Sequence, residues 1–334
     1  MQTSGRRNFF SGSLIRDRMS TLRASISLET ASPVRIIAFQ QGMPLMHARG
    51  SDCRLAFIED SGLLRSKTTH QSIFLGMSGS VNYFAVDLSN DESLAAKLVA
   101  ETSASFHPAR PNIFSLPEEE ASIAACSKSL LEWHARTLFC SMCASPTVSK
   151  LAGWQRTCTD AACPSHIHGA NIGFPRTDPV VICAVKSRDG KRILMGRSPA
   201  WPKGLYSCVA GFCEPGESIE EAAAREVAEE TGVSIGEVTY HSSQPWPFTS
   251  QLIFGCVARA KYGAESHAIS LVDEELEHAD WFDIDEIAEI IAAEESGVPR
   301  AKSVAQVVSL PRKSSVSRAL IEHVVKAAQA EPKL

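Results

Sequence analysis

No stretch of this 334-residue sequence approaches the roughly 20 apolar residues of a membrane-spanning helix, and the longest apolar run, Val180 to Val185, is strand-length. A basic surplus is missing too. The sequence has 33 lysines and arginines against 38 aspartates and glutamates, so its net charge of −5 makes no electrostatic case for nucleic acid as the main partner. The N-terminus has no apolar core followed by small residues, and a secretory signal is not expected. What is present is ordinary for a soluble globular protein: 44% apolar and 21% charged residues, long enough for two or three domains.

The ten cysteines are the compositional oddity. Four stand at metal-like spacing and the rest are scattered in apolar contexts such as Ile182-Cys183-Ala184, which fits a reducing compartment. Both ends read as weak addresses. The first 16 residues carry three arginines, several serines and no acid, the composition of an organelle transit peptide. The last three, Pro332-Lys333-Leu334, are a variant of the peroxisomal Ser-Lys-Leu tail.

The stretch Gly211 to Val233, GFCEPGESIEEAAAREVAEETGV, carries the densest chemistry. Gly211 and Gly216 suit a loop with unusual backbone angles. Glu217-Ser218 then leads into a helix of strong formers that Gly232 ends. Glu226, Glu229 and Glu230 stand at i, i+3 and i+4, so their carboxylates share one face. Such a face is either simply solvated or a site for a hard divalent cation, Mg²⁺ or Mn²⁺, shared with substrate phosphates. Arg225, about 100° round the helix from Glu226, is placed to brace the loop through Glu217. Phe212 after the loop glycine, and Trp246 further on, offer flat rings for stacking on a planar group. Gln244 offers a hydrogen bond to a ring edge.

Cys140 and Cys143, a 14-residue gap, then Cys158 and Cys163 read as two turns building a tetrahedral thiolate site. The alternative is free buried thiols, and His166 and His168 are rival ligands. Four thiolates leave no open position, so one zinc there is structural.

Elsewhere the pattern is that of a scaffold. Residues 1 to about 112 read as short strands with little helix: Arg35 to Phe39, Leu55 to Ile58, Ser72 to Leu75 and Tyr83 to Leu88. Glu118, Glu119 and Glu120 then open a helix with Ile123, Cys126, Leu130 and Trp133 on its buried face. Val180 to Val185 is a buried strand, and Asp189-Gly190 is a hairpin signal before a second one. The two prolines of Ser243-Gln244-Pro245-Trp246-Pro247-Phe248 predict an irregular loop. Ser314-Ser315 caps an amphipathic helix at the end.

Gly211, Glu217 and the run Arg225-Glu226-Val227-Ala228-Glu229-Glu230-Thr231-Gly232-Val233 resemble the full signature of the Nudix hydrolases. Further segments are similar to the NADH pyrophosphatase branch of that superfamily. They are Phe9 to Arg23, Phe74 to Gly76, Tyr83 to Leu88, the two cysteine pairs, Phe174 to Pro179 and SQPWPF, though Thr249-Ser250-Gln251 depart from the usual exit of the last motif. Glu275 to Phe282 resembles a segment whose leading glutamate adds a metal-site carboxylate, which implies that role for Glu275, with Asp273, Glu274 and Glu277 solvated nearby.

The resemblance implies a multidomain α/β chain: a Nudix-like α+β domain for scaffold or dimerisation over 1–133, a zinc ribbon over 134–175 and a Nudix α/β/α sandwich over 176–334. It implies hydrolysis of NAD(H), NADH preferred, to nicotinamide mononucleotide and AMP, with two or three Mg²⁺ or Mn²⁺ ions. NAD-capped RNA is a secondary substrate and a homodimer the default assembly. Because Phe9 to Arg23 then belongs to a folded domain, peroxisome or cytoplasm is expected ahead of mitochondrion or plastid. Three alternatives stand beside this reading: a Nudix specificity such as ADP-ribose, a catalytically dead nucleotide sensor, and a nucleic-acid-binding zinc ribbon. Against the last, Lys150 and Arg156 face only Asp160 in charge between Cys140 and Cys163.

Overall fold

A computed structural model of the chain describes residues 9–10, 15, 18–49, 52–59, 64, 71–168, 173–261, 269–271, 275–297 and 309–330. Its contacts divide the chain into two compact units. One runs from Phe9 to Thr177 and includes Pro245–Ser250; the other holds Asp178–Gln244 and Gln251 onward. The segment 134–175, expected as a ribbon of its own, therefore clusters with the N-terminal unit.

The strands of the first unit's main sheet are β1 (Val34–Gln40), β2 (Met43–Arg49), β3 (Asp52–Leu55), β4 (Ile58–Glu59), β5 (Gln71–Ser78), β6 (Val81–Asp87) and β7 (Ser105–Phe106). Its path is β3-β2-β1-β6-β5, with β1 and β6 parallel and the other pairs antiparallel. The apolar run Leu55 to Ile58 is split, Leu55 closing β3 and Ile58 opening β4.

Side chains of a strand alternate between the two faces of its sheet, and here both faces are covered. Ile37, Ile73, Tyr83 and Ala85 meet the helix α2 (Glu118–Arg136) through its Ala121, Ala124 and Leu130. Ile36, Phe74, Phe84 and Val86 meet α1 (Glu92–Thr102) through Leu94, Ala95 and Leu98. The helix α1 lies where little helix was expected. Its cap was legible: the Asp91 carboxylate accepts from Leu94 N at 2.9 Å.

The same unit carries the hairpin of β8 (Thr147–Lys150) and β9 (Gln155–Cys158). Between its strands, Gly153 has a φ of +95°, and a Cβ there would stand 2.8 Å from two carbons of the buried Ile73. Trp154 Nε1 donates to Phe74 O at 2.6 Å. Buried His134 joins α2 to the hairpin, 2.7 Å from Gly153 O through Nε2 and 2.7 Å from Arg156 Nη1 through Nδ1. A guanidinium only donates, so Nδ1 accepts and Nε2–H donates. This arrangement requires a neutral ring.

The second unit has a mixed sheet of β10 (Asp178–Lys186), β11 (Arg192–Arg197), β12 (Val209–Phe212), β13 (Ile235–Trp246), β14 (Gln251–Ala260) and β15 (His278–Asp283). The order is β13-β14-β10-β11-β15 with β12 also on β10, and β10 and β14 are the parallel pair. Gly190, at φ +74°, makes the turn between β10 and β11. Val181, Cys183 and Val185 pack on α3 (Ile219–Thr231), while Ile182 and Ala184 pack with α4 (Ile284–Ser296) and α5 (Val316–Ala330). Burial on both faces is why the run Val180 to Val185 has no polar alternation.

Pro245 and Trp246 continue β13 and do not break it, because β13 is the edge strand of its sheet and an edge tolerates proline.

Burial lowers the His134 pKa to about 4, a loss partly offset by the Gly153 carbonyl. The unfolded chain protonates near pH 6.5, so between about 6.5 and 4 it binds the extra proton and stability falls as pH falls. His134→Gln can keep both hydrogen bonds and cannot titrate. We expect wild type to lose on the order of 2–3 kcal/mol relative to this variant as pH drops through that window. Urea titrations at several pH values would read the difference, and a constant gap would exclude it.

Candidate functional site

The site begins where β12 runs into α3. Gly216 turns the loop at φ +98°, and Ser218 with Glu221 closes a reciprocal capping box on the first turn of α3. Gly232, at φ +72°, ends the helix with its N–H on Ala228 O. Gly211 behaves differently from the expectation of an unusual backbone angle, since it lies within β12 and has no positive φ. A Cβ at 211 would stand 2.0 Å from the Glu226 carboxylate. Glycine is needed there because a side chain of α3 lies directly on the strand.

Arg225 ties the parts together. Its Nε and Nη2 grip the two Glu217 oxygens at 2.6 and 2.9 Å, and Nη2 also donates to Phe212 O at 2.7 Å. Its Nη1 donates to Glu226 and to Glu229, both at 2.9 Å. The last two contacts were not expected from a 100° rotation at the backbone; an arginine is long enough to span it. The Arg225 fork holds the Glu217 pKa down to about 2, helped by Glu214 N–H, and Glu217 in turn raises that of Arg225. Burial pushes Glu226 upward, Arg225 opposes it, and the charges of Glu229 and Glu275 push the same way as burial.

The other carboxylates differ in setting. Glu229 and Glu275 are exposed, whereas Glu230 is only 3% exposed. Glu275 is delivered by a clamp that the sequence did not reveal. Glu277 N donates to Arg197 O at 2.9 Å, Arg197 Nη1 donates to Glu277 at 2.6 Å, and Leu276 fills the space over Gly196. Glu277 is thus paired with buried Arg197 and not simply solvated. Asp273 and Glu274 lie outside the described residues.

The expected ring-binding residues differ in setting. The Phe212 ring is 53% exposed. Gln244 is fully buried, its Nε2 donating to Ser314 O and its Oε1 accepting from Val316 N, each at 2.8 Å. That corrects the ring-edge expectation: the carboxamide braces the start of α5. Trp246 is partly buried among Phe114, Phe248 and Phe10, at ring-centre distances of 5.4, 5.6 and 6.2 Å.

In the first unit the four cysteines converge. The sulfurs of Cys140, Cys143, Cys158 and Cys163 all lie within 4.8 Å of one another, the one such donor group among the described residues. Backbone N–H of Met142 draws the Cys140 thiol down to about 6, Ser145 lowers Cys143, and burial pushes Cys158 up to about 12. His166 is exposed and outside the group.

Comparison with known proteins adds the family. The NUDIX domain family model matches residues 176–306, and the NADH pyrophosphatase-like rudimentary NUDIX domain matches residues 33–133. NAD(P)H pyrophosphatase NUDT13, mitochondrial, of Mus musculus is 36% identical over 296 residues, covering 84% of this chain and 80% of its own. The chain belongs to the NADH pyrophosphatase-like branch of the Nudix superfamily.

Two further relatives bracket this Nudix chain. NAD-capped RNA hydrolase NUDT12 of Macaca fascicularis is 37% identical over 248 residues, 74% of this chain and 51% of the relative. The Nudix chain thus spans about half the length of that relative. Nudix hydrolase 19, chloroplastic, of Arabidopsis thaliana is 34% identical over 314 residues, 84% of this chain and 69% of its own. Among the described residues no helix is long and apolar enough to cross a membrane.

The contact of Glu226 on Gly211 makes a direct prediction. Gly211→Ala should cost about 1–3 kcal/mol by overpacking, and most of that loss should vanish in a Glu226→Ala background. A double-mutant cycle in urea measures the coupling. Additive losses would show that the carboxylate does not rest on the strand.

Proposed function

We propose that this chain hydrolyses the pyrophosphate bond of NAD(H), with NADH preferred, to nicotinamide mononucleotide and AMP, and removes the same group from NAD-capped RNA. The observation that carries it is the carboxylate group set around Arg225 on β12 and α3, in a chain whose relatives are named for these two substrates.

Glu226, Glu229, Glu230 and Glu275 are the residues that would hold two or three Mg²⁺ or Mn²⁺ ions. Their donors fit: hard carboxylate oxygens, with Glu226 already pushed up by burial and by its acidic neighbours. Bound there, the cation supplies positive charge against the phosphate oxygens and makes water more acidic.

The rest falls to the chain's own groups. A cluster carboxylate accepts the proton of the water that attacks phosphorus, the bridging P–O bond breaks, and its electrons leave with the second mononucleotide. Arg225 and Glu217 keep loop and helix in one geometry, so little reorganisation is needed during the reaction. The open Phe212 ring offers a stacking face beside the carboxylates. Trp246, read from the sequence as a ring-binding residue, is held by the aromatic neighbours of its own unit. The four converging thiols would hold one structural zinc, since they leave no open position. A homodimer and a peroxisomal or cytoplasmic address, read from the sequence, belong to the same proposal; Pro332-Lys333-Leu334 lies outside the described residues.

Products should be resolved from NADH, NAD⁺ and ADP-ribose offered separately with Mg²⁺ or Mn²⁺. We expect AMP and reduced nicotinamide mononucleotide from NADH, with turnover falling about a hundredfold or more in Glu229→Gln. Faster cleavage of ADP-ribose would overturn the substrate, and no cleavage of any of the three would overturn the activity.

Elemental analysis provides a separate check. We expect about one zinc per chain, lost in Cys143→Ser together with the stability of the β8–β9 hairpin. A folded wild type with four titratable thiols and no zinc would remove the metal from the proposal.

A further inference from the structure

We propose that Arg18 and Arg23 form a binding site for a phosphoryl dianion in the N-terminal unit, which contains none of the candidate glutamates. The two guanidinium carbons lie 5.7 and 3.8 Å from the centre of the Trp154 ring. That ring is fixed at its edge by its hydrogen bond to Phe74 O. Arg18 Nη1 donates to Cys126 Sγ at 2.9 Å and approaches Leu75 O at 3.5 Å. Neither guanidinium has a carboxylate partner among the described residues, and the buried Nε of Arg23 donates to nothing. Both residues are only partly buried.

The energetics favour an anion. Two like charges lie near one ring, and among the described residues neither has a carboxylate counter-ion. Burial first, then the charge of Arg18, draws the pKa of Arg23 down. A buried donor without an acceptor is destabilising, and Arg23 carries one.

The ligand class follows from charge and shape. A carboxylate neutralises one guanidinium; a phosphate monoester dianion neutralises both and matches the planar fork of each. The Trp154 face is already covered by Arg23, so recognition is of the phosphoryl group and not of a base. Inorganic phosphate, a mononucleotide such as AMP and the 5′-phosphate of an RNA share this chemistry.

The test is calorimetric titration of the full chain without added divalent metal, at constant ionic strength. Inorganic phosphate, AMP, and a short RNA with either a 5′-phosphate or a 5′-hydroxyl are titrated in turn. We expect saturable phosphate binding by wild type, weakened about ten-fold or more in the Arg18→Gln/Arg23→Gln double variant. Arg23→Lys keeps a charge and an apolar stem on Trp154 but loses the fork, so it should fold and still bind phosphate several-fold more weakly. AMP tighter than phosphate would identify a mononucleotide site, and RNA bound only with its 5′-phosphate would identify an RNA-end site. Equal phosphate affinity in wild type and Arg23→Lys, or no saturable binding, would overturn the proposal. NADH turnover is read separately, so failure here leaves the hydrolase proposal untouched.

Discussion

Five hydrogen bonds from one guanidinium hold the candidate site together. Arg225 bonds the loop through Glu217, the strand through Phe212 O, and its own helix through Glu226 and Glu229. An arginine has five N–H donors in a fixed fork, and here each meets an acceptor. Three secondary structures therefore share one geometric constraint. Glu226 adds a second, since its carboxylate lies where any side chain at 211 would have to stand. Acids crowded around one cation are poor stabilisers by themselves, and in this chain they rest on a helix whose other face is driven into the core by Ala222, Ala223 and Val227. Packing of the apolar face carries the energetic cost of assembling the charged one.

Each unit follows the same logic: a mixed sheet with helices on both faces. The two differ in what their edges and loops carry. In one, a strand feeds a glycine-punctuated loop and an acidic helix. In the other, the sheet supports a cysteine hairpin through Ile73, Phe74 and Trp154, and a neutral histidine links that hairpin to the long helix. The shared architecture explains why two family models of related type match the one chain.

Some of this was legible because local spacing decides it. Carboxylates at i, i+3 and i+4 share a helix face whatever surrounds the helix, and paired cysteines on tight turns converge once the turns meet. Buried strands announced themselves as apolar runs, and the Asp189-Gly190 turn lies between β10 and β11. Helix α1 went unseen although Asp91, Leu94 and Leu98 mark it, because a short helix among strands offers few periods to count.

The residues misjudged were those whose partners are distant in sequence. Gln244 had every appearance of a ligand-facing amide until Ser314 and Val316, some seventy residues on, occupied it. The clamp of Arg197 on Glu277 spans a similar distance, and Gly211 owes its identity to a carboxylate fifteen residues away. By itself, then, the sequence determined the chemical inventory and its local order: acids on one helix face, four thiols in two pairs, two sheets with apolar strands. Only the tertiary structure decided which polar groups remain available, because a side chain's availability depends on what packs against it, and that is set by chain segments far apart in sequence.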